Sequence, residues 1–466
     1  MVRNIKAGLA LVAVSCAVAL SACNPAANTQ SGPATNGGTG GGGGFSKTLS
    51  GTLKTSGFNP SDEVGKARGD YATKQVAPVT VSMDTTNFDP QKFAAQAASG
   101  NVPDLIQVDR STVDTLADKG LIIPLDQCFS TWGVSPSQYY YPAAIKDVTY
   151  NGHLYGVPQF FQASIIIGNK SVMGPAGVTM ADLDTSKPDQ LIQVAKKMTK
   201  QSGGKPTQLG FSPDLPGSSA LWLAVFGGKP NDSNGKPTLD DPKNVEALTW
   251  MKSIMDAQGG YAKVKSFMDT FDTFGDKNEY VQNQAGAMTW AQWYINVLSS
   301  TKDNVKLQAT TIKDTSGSVI GFAGGTAFAI PKASKNPSAA CAWAVKVTSL
   351  DAWMAAGSAR AATVAQKHSI MTGLFTGSPV ADKAIRDKFV KPSGNADFDQ
   401  LIATSYDALQ HTVSFGGSPV GQQISDALTN AVTVTLTGEK TPQEALKEAQ
   451  DTAMRAYSQS NLGKNG

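Results

Sequence analysis

Residues 150–170, with the sequence YNGHLYGVPQFFQASIIIGNK, place the strongest constraint on the fold. The stretch opens with Asn151-Gly152, a dipeptide typical of a turn between two β-strands. Residues 164–167 are rich in β-branched side chains and favour an extended strand. Between these segments lie aromatic and amide side chains, Phe160, Phe161 and Gln162. This mixture suits a strand that crosses between two lobes better than a strand buried in one core.

Strands and helices alternate over residues 50–125. Asp89 is placed to cap a helix, Pro90 stands at its first position, and Gly100 follows its end. Near the C-terminus, Thr441 and Glu444 have the spacing of a capping box. Strands separated by helices predict an α/β fold with a parallel sheet and helices on both faces. The predicted strands are 51–56, 79–83 and 103–108, and the predicted helices are 63–75 and 89–100.

Residues 1–22 have the pattern of a secretory signal peptide. Arg3 and Lys6 precede an apolar run, residues 7–20, that is too short to span a bilayer comfortably. The run ends in Leu-Ser-Ala-Cys at residues 20–23, which resembles the bacterial lipobox, whose cysteine carries the lipid. We therefore expect Cys23 to be the lipidated first residue of the mature chain. An ordinary cleavage site and an uncleaved anchor are the alternatives.

Residues 23–44 are predicted to be a flexible tether behind that anchor. From Asn24 to Gly44 the sequence has no charged residue, and residues 40–44 are all glycine. Such a segment cannot bury enough apolar surface to become ordered. A flexible coil of this length has ends about 25 Å apart. The folded part is expected to begin near Phe45.

Charge and motifs exclude several classes of function. Lys and Arg number 40 and Asp and Glu 37, a net charge of +3 that falls to +1 without Arg3 and Lys6. No basic cluster is present, so no nucleic-acid partner is expected. After the leader, no apolar stretch is long enough to span a membrane. The three histidines are far apart and lack Cys or carboxylate neighbours at ligand spacing, so neither a metal nor a cofactor is expected.

Several short motifs carry a resemblance to a known family. GNVPDLI at 100–106, LADKG at 116–120 and PLD at 124–126 are followed by QAGAM at 284–288, with Trp290 and Trp293. Gly324-Gly325, Ile330-Pro331 and residues 335–340 come next, and then Gly438 with residues 441–446. In order and spacing, these motifs and the 150–170 stretch resemble the sugar-type extracellular solute-binding proteins (maltose-binding-like, family 1) of ABC importers.

The resemblance implies a fold of two α/β lobes with a hinge and a cleft between them. Lobe 1 is expected to comprise about residues 46–160 and 318–375, and lobe 2 about residues 161–317 and 376–466. It also implies a monomeric, extracytoplasmic protein, anchored to the cell membrane by lipid. Such a protein captures a carbohydrate and delivers it to ABC permease subunits, and it is not an enzyme. A lipid-anchored glycoside hydrolase, a binder of another polar solute and an adhesion or scaffold protein are the alternatives.

Aromatic rings stack on the C–H faces of sugars, while carboxylate, amide and guanidinium groups bind their hydroxyls. Trp290, Trp293 and Tyr294 have helical spacing and would otherwise form a packed core face. Asp109 and Arg110 follow a strand, and a helix start capped by Asp109 is the alternative. The resemblance places both groups at the cleft, together with Gln162 and Trp222, and it puts Ser425 where the family often has an aromatic residue. The predicted ligand residues are Asp109, Arg110, Gln162, Trp222, Trp290, Trp293 and Tyr294.

Two cysteines remain after the leader, Cys128 and Cys341. An even pair in an exported chain permits a disulfide, and two separate buried thiols are the alternative. The resemblance puts both cysteines in lobe 1. A bridge between Cys128 and Cys341 is therefore the expectation.

Overall fold

The computed structural model describes residues 44–465. The predicted signal peptide, the lipidation site Cys23 and all of the tether except Gly44 lie outside the described residues. Within residues 44–465, no helix combines the length and apolar character needed to cross a membrane.

The structure contains strands β1 (Thr52–Ser56), β2 (Thr80–Asp84), β3 (Leu105–Asp109), β4 (Thr149–Tyr150), β5 (His153–Leu154), β6 (Val157–Pro158), β7 (Gln162–Asn169), β8 (Lys200–Ser202), β9 (Lys205–Ser212), β10 (Ala285–Ala291), β11 (Leu307–Thr310), β12 (Gly321–Gly324), β13 (Thr326–Ala329) and β14 (Thr412–Val413). The α-helices are α1 (Glu63–Gln75), α2 (Pro90–Ser99), α3 (Arg110–Asp118), α4 (Asp126–Thr131), α5 (Pro136–Tyr139), α6 (Pro142–Lys146), α7 (Lys170–Met173), α8 (Pro188–Met198), α9 (Ser219–Val225), α10 (Pro242–Asp256), α11 (Tyr261–Met268), α12 (Tyr294–Leu298), α13 (Pro337–Val347), α14 (Leu350–Lys367), α15 (Pro379–Phe389), α16 (Ala396–Ala408), α17 (Gly421–Leu436), α18 (Pro442–Tyr457) and α19 (Asn461–Asn465).

The helix ends follow the capping chemistry expected from the sequence. The Asp89 side chain accepts hydrogen bonds from the N–H groups of Gln91 and Lys92 at the start of α2. Gly100 ends that helix in the left-handed region at φ +68°, which a residue with a Cβ adopts less readily. Thr441 and Glu444 form the predicted capping box at the start of α18.

The first sheet has the strand order β2-β1-β3-β13-β6. Strands β1, β2 and β3 are parallel and are connected through α1 and α2, as the alternation of elements predicts. Strand β13 runs antiparallel to both β3 and β6. The carboxyl ends of the three parallel strands therefore lie at one edge of this sheet.

The second sheet has the order β14-β12-β7-β10-β9-β8, and β11 also pairs with β7. Strand β7 is antiparallel to β10, β11 and β12 and therefore lies at the centre. The side chains of Ile165, Ile166 and Ile167 have no exposed surface. The second half of the 150–170 stretch is thus a buried core strand, and only its middle crosses between the sheets.

The chain crosses between the sheets from β6 to β7, through residues 159–161, and returns from β12 to β13 through Gly325. Gly325 has φ +150°, and a Cβ there would lie 2.2 Å from the carbonyl oxygen of Phe160. Glycine therefore lets the two crossing segments approach closely. The predicted lobe boundaries stay a prediction, although β12, which they assign to lobe 1, pairs with β7 of the second sheet.

A disulfide joins Cys128 of α4 to Cys341 of α13, with Cα atoms 5.8 Å apart. Both cysteines are fully buried in the core beneath the first sheet, among Leu53, Phe129 and Trp343. The bond therefore ties α4 to α13 within this core.

Candidate functional site

Three cavities lie at the crossing segments or at the strands next to them. The tryptophan cavity, of about 270 Å³, is lined by Phe160, Gln162, Trp293, Asn296, Trp353, Arg360, residues 372–375, Asp62 and Val64. The α17 cavity, of about 320 Å³, includes Asp109, Arg110, Asn231, Phe322, Phe415 and Ser425. The strand-end cavity, of about 430 Å³, includes Gly57, Phe88, Gln107, Asp109, Thr326 and Gln422.

Strand register brings the three cavities close to one another. Gln162, in the tryptophan cavity, is the register partner of Gly324, in the α17 cavity. Asp109, which lines the other two cavities, is the register partner of Thr326, two residues beyond Gly324. The structure therefore brings the predicted residues Asp109 and Gln162 to one short length of the crossing strands.

The tryptophan cavity combines aromatic and hydrogen-bonding side chains. Trp293 is half-buried and shares the lining with Phe160 and Trp353, whose rings lie edge to face 5.6 Å apart. The side chain of Thr372 is almost fully buried, and its Oγ1 has no hydrogen-bond partner among residues 44–465. A buried hydroxyl without a partner costs about 1–3 kcal/mol, which a ligand group or a water molecule would offset.

Asp109 occupies the N-cap position of α3 but makes no capping hydrogen bond. Its side chain is exposed, and no described residue donates a hydrogen bond to its carboxylate. Burial within the walls of the cavities nevertheless raises the pKa of Asp109, and the charge of Arg110 opposes that shift. An accessible carboxylate in a concave, partly desolvated site is well placed to accept hydrogen bonds from ligand hydroxyls.

Arg110 is buried, and each of its three guanidinium nitrogens donates a hydrogen bond to the protein. Nε donates to Asp147 at 3.0 Å and Nη2 to the carbonyl of Ala323 at 3.1 Å, while Nη1 donates to the carbonyl of Phe160. The expectation that Arg110 binds ligand hydroxyls is therefore corrected, because its donors tie α3 to both crossing segments.

Trp222 and Tyr294 belong to the core and not to a cavity. Trp222 has no exposed surface, and its Nε1 donates to the carbonyl of Pro213 at 2.7 Å. Tyr294 is likewise fully buried, and its hydroxyl donates to the carbonyl of Thr273 or to Glu279, each at 2.8 Å. Neither side chain is accessible to a ligand, which corrects both predictions.

Trp290 packs against both neighbouring aromatic rings and meets that of Trp293 edge to face, with centroids 6.4 Å apart. Its ring stacks on Tyr294, with centroids 3.9 Å apart, and it does not line the tryptophan cavity. Strand β10 ends at Ala291 and α12 begins only at Tyr294, so the three aromatic residues do not share a helix. Their i, i+3, i+4 spacing therefore does not put them on one face, and only Trp293 lies in the cavity.

Several lining residues were not predicted from the sequence. Trp353 and Arg360 lie within α14, where apolar and basic residues are common and do not indicate a site. Thr372 lies in a connection that has no recognisable motif. Phe160 was not predicted either, but its place in the crossing stretch, two residues before Gln162, is a signal that could have found it. Ser425 does line the α17 cavity, at the position that the resemblance singled out.

Residues 67–365 match the profile of a family described as bacterial extracellular solute-binding protein. The match covers well over half of the chain. The chain belongs to this family. This solute-binding protein is also similar to arabinooligosaccharide-binding proteins, with 25% identity over 184 residues to that of Halalkalibacterium halodurans and 24% over 246 residues to that of Bacillus subtilis. The matches cover 38% and 51% of this chain and 39% and 54% of the relatives, so the chain spans about half or less of their length.

Solved structures resemble the solute-binding protein over most of its length. CpMnBP1 with mannobiose bound is 24% identical, with a TM-score of 0.69, and the match covers 86% of this chain and 99% of CpMnBP1. MalX of Streptococcus pneumoniae, in complex with maltopentaose, is 18% identical with a TM-score of 0.60, and the match covers 87% of this chain and all of MalX. These likenesses confirm the predicted two-lobed α/β fold.

Proposed function

We propose that this protein is the extracytoplasmic substrate-binding component of an ABC importer and that it captures a carbohydrate between its lobes. The proposal is based on the residues that line the tryptophan cavity. There, the half-buried Trp293, just after β10, lies with the half-buried Phe160 of the crossing segment and with Gln162 of β7. Aromatic faces next to amide and hydroxyl groups match the alternating C–H and O–H surfaces of a sugar.

Asp109 contributes the second half of the proposed site. Its carboxylate accepts hydroxyl hydrogen bonds from the side of the first sheet, while Trp293 stacks on the sugar from the side of the second. A ligand that touches both sides stabilises the closed form, because the open form offers it fewer contacts. The mechanism is binding and release without covalent chemistry, and the released sugar passes to the permease subunits.

Relatives support this choice of ligand and partner. The arabinooligosaccharide-binding proteins and the structures with mannobiose and maltopentaose are named for carbohydrates. We further propose that the protein acts as a monomer and is attached to the membrane through a lipid on Cys23, with residues 24–44 as the tether.

A ligand screen followed by calorimetry tests the proposal. The mature protein is screened by thermal shift against mono- and oligosaccharides of arabinose, mannose and glucose. A ligand at about 100 times its Kd stabilises the fold by about 2.7 kcal/mol. Trp293→Ala and Asp109→Ala are each expected to weaken binding about ten- to a hundredfold.

Trp343→Ala serves as a control, because Trp343 is fully buried in the core of the first sheet and lines none of the three cavities. It is expected to lower stability and leave the Kd of the folded protein unchanged. Unchanged affinity in both Trp293→Ala and Asp109→Ala would place the site elsewhere. Stabilisation by other polar solutes but by no sugar would contradict the ligand class, and hydrolysis of a bound oligosaccharide would contradict a pure binding role.

A further inference from the structure

Gln159 stands in the crossing segment between β6 and β7, and every nitrogen and oxygen atom of it is hydrogen-bonded within the protein. The residue is 1% exposed and lines none of the three cavities. Its N–H donates to the carbonyl of Thr326 at 2.9 Å, and its own carbonyl accepts from the N–H of Gly377 at 2.9 Å. The side chain lies between Arg68 of α1 on one side and Gln107 of β3 on the other.

The buried guanidinium of Arg68 fixes the orientation of the Gln159 amide. Arg68 is itself held in place, because its Nε donates to the carbonyl of Val347 at 3.0 Å and its charge lies 3.7 Å from the centre of the Trp353 ring. Its Nη2 lies 2.9 Å from the Gln159 side chain. Burial lowers the pKa of Arg68 to about 9, which keeps the group charged at neutral pH. Because a guanidinium only donates, the atom that faces it is the amide oxygen, Oε1.

The amide nitrogen of Gln159 therefore points towards β3 and β13, where it has two acceptors. Nε2 donates to Oε1 of Gln107 at 2.8 Å and to Oγ1 of Thr326 at 3.1 Å. These bonds occupy the oxygen of the Gln107 amide and a lone pair of the Thr326 hydroxyl. Neither the Gln107 amide nitrogen nor the Thr326 hydroxyl donates a side-chain hydrogen bond to any of residues 44–465. Both groups are thus left as hydrogen-bond donors.

Both donors belong to the strand-end cavity, next to Asp109. Gln107 and Asp109 are two residues apart on β3, so their side chains lie on the same face of the sheet. Thr326 of β13 is the register partner of Asp109. The cavity therefore combines two donors with a carboxylate that only accepts. A sugar hydroxyl is able to accept from one such group and donate to another at the same time.

We propose that Arg68 and Gln159 are positioning residues that fix the direction of the hydrogen bonds in the strand-end cavity. Gln107 and Thr326 donate to oxygen atoms of the ligand there, and Asp109 accepts in return. The inference rests on the proposed carbohydrate-binding function and adds the hydrogen-bond pattern by which this end of the site selects its sugar. A sugar without an oxygen at this position leaves buried donors unpaired and is rejected.

Gln159→Glu tests the positioning role. A carboxylate at position 159 still accepts from Arg68 but has no hydrogen to donate. The Gln107 amide is then expected to reverse and to turn its oxygen to the cavity. Calorimetry with the arabinose, mannose and glucose saccharides of the screen is expected to show binding weakened about ten- to a hundredfold. Gln107→Met and Thr326→Val each remove one donor directly and are expected to weaken binding about two- to tenfold.

The matched control is Gln400→Glu. Gln400 is half-buried, lines none of the three cavities, and bonds both backbone groups of Ala309 through its amide. This variant is expected to lose stability and to keep the Kd of the unmodified protein. A loss of affinity equal to that of Gln159→Glu would mean that the effect comes from the fold in general and would overturn the positioning role.

Side-chain amide NMR measures the orientation without any ligand. The glutamine side chains are labelled with an NMR-active nitrogen isotope, and the signals of Gln107 and Gln159 are assigned by their loss in Gln107→Met and Gln159→Glu. In the unmodified protein, hydrogen exchange is expected to be slow for the Gln159 amide and fast for that of Gln107. In Gln159→Glu the Gln107 amide is expected to exchange slowly, because it then donates to the carboxylate.

The outcomes separate this inference from the function on which it rests. Fast exchange of the Gln107 amide in Gln159→Glu overturns the positioning role. Unchanged affinity in both Gln107→Met and Thr326→Val, together with a loss in Trp293→Ala, overturns their contact with the ligand and leaves the carbohydrate site standing. If the unmodified protein binds no sugar of the screen, the proposed function itself fails, and amide exchange alone decides the orientation of Gln107.

Discussion

At the scale of single residues, whether an aromatic side chain can contact a ligand depends on which residues pack over it. Trp293 and Trp222 were both predicted to contact ligand, yet only Trp293 lines a cavity. Trp222 is buried against Trp250, with ring centroids 4.5 Å apart, in the core of the second sheet. The same residue type therefore lines a cavity in one place and fills the core in the other.

Trp222→Ala is expected to lower the free energy of unfolding by about 3–5 kcal/mol, because it opens a cavity in a fully packed core and removes the bond to Pro213. Trp293→Ala is expected to change stability much less, since its side chain is only half-buried. Denaturant unfolding of both variants measures the difference. Equal losses of stability would show that Trp293 is a core residue.

Asp114 is a buried carboxyl with an unfavourable environment. It is 5% exposed, and its Oδ1 has no partner among the described residues. A Cβ at Gly417 would lie 2.0 Å from its Oδ2, so the backbone before α17 packs directly against it. Burial, followed by the charges of Asp147 and Asp118, raises the pKa of Asp114 to about 8.

This pKa predicts how stability changes with pH. The folded protein holds the proton of Asp114 more tightly than the unfolded chain, whose pKa is about 3.9. Stability should therefore fall as the pH rises from about 4 to about 8, by at most ~1.4 kcal/mol per unit from this group. Asp114→Asn should flatten that slope and be more stable than the unmodified protein at pH 8.

Unfolding measured at several pH values checks the prediction. Asp70→Asn is the control, because Asp70 is an exposed partner of Lys66. Identical slopes for Asp114→Asn and the unmodified protein would mean that Asp114 is charged in the fold.

At the scale of elements, Arg110 links α3 to both crossing segments. Its donors satisfy the carbonyls of Phe160 and Ala323, and its guanidinium lies 5.2 Å from the centre of the Phe161 ring. The ion pair with Asp147 has its arginine side chain only 2% exposed. Because both crossing segments converge on one side chain, the geometry between the sheets depends on it.

Arg110→Met removes the charge but keeps a long side chain. It is expected to lower the free energy of unfolding by about 3–5 kcal/mol, because Asp147, whose side chain is 18% exposed, is left as a partly buried charge without Arg110. Denaturant unfolding measures the loss, and Arg110→Met combined with Asp147→Asn should recover part of it. If Arg110→Met is as stable as the unmodified protein but binds sugar more weakly, Arg110 is a ligand-binding residue and the structural role is wrong.

At the scale of the whole molecule, two sheets with separate cores are connected by a few crossing segments, and the proposed site lies along them. Few contacts have to change when two bodies joined in this way move relative to each other. A ligand bound at the proposed site would contact both sides of the crossing, and its binding would then depend on the arrangement of the lobes.

Attachment to the membrane is a property of the whole chain. Cys23→Ala is expected to release the protein into the soluble fraction and to abolish metabolic labelling with palmitate, because multiple acyl chains are what makes such an anchor stable. Cys16→Ala, within the leader, is the control and should stay on the membrane. Continued membrane retention and labelling of Cys23→Ala would refute lipidation at this residue.

The sequence by itself determined the elements whose signals are local. The helix start at Asp89-Pro90, the end at Gly100 and the capping box at Thr441 depend on backbone geometry within a few residues. The alternation of strands and helices predicted the α/β class, because periodicity follows from which faces are buried. The crossing near Gln162 was also predictable, since its aromatic and amide residues interrupt an apolar run.

Only the tertiary structure decided which predicted side chains are accessible to a ligand. Tyr294 is buried in the core and the partly buried Trp290 stacks on it, while Trp293 lines a cavity, because the chain changes from strand to helix between Trp290 and Tyr294. The donors of Arg110 are taken by carbonyls of segments 50 and 213 residues away along the chain. Burial and hydrogen-bond partners of this kind are set by packing between distant segments. The spacing of residues in the sequence therefore does not predict them.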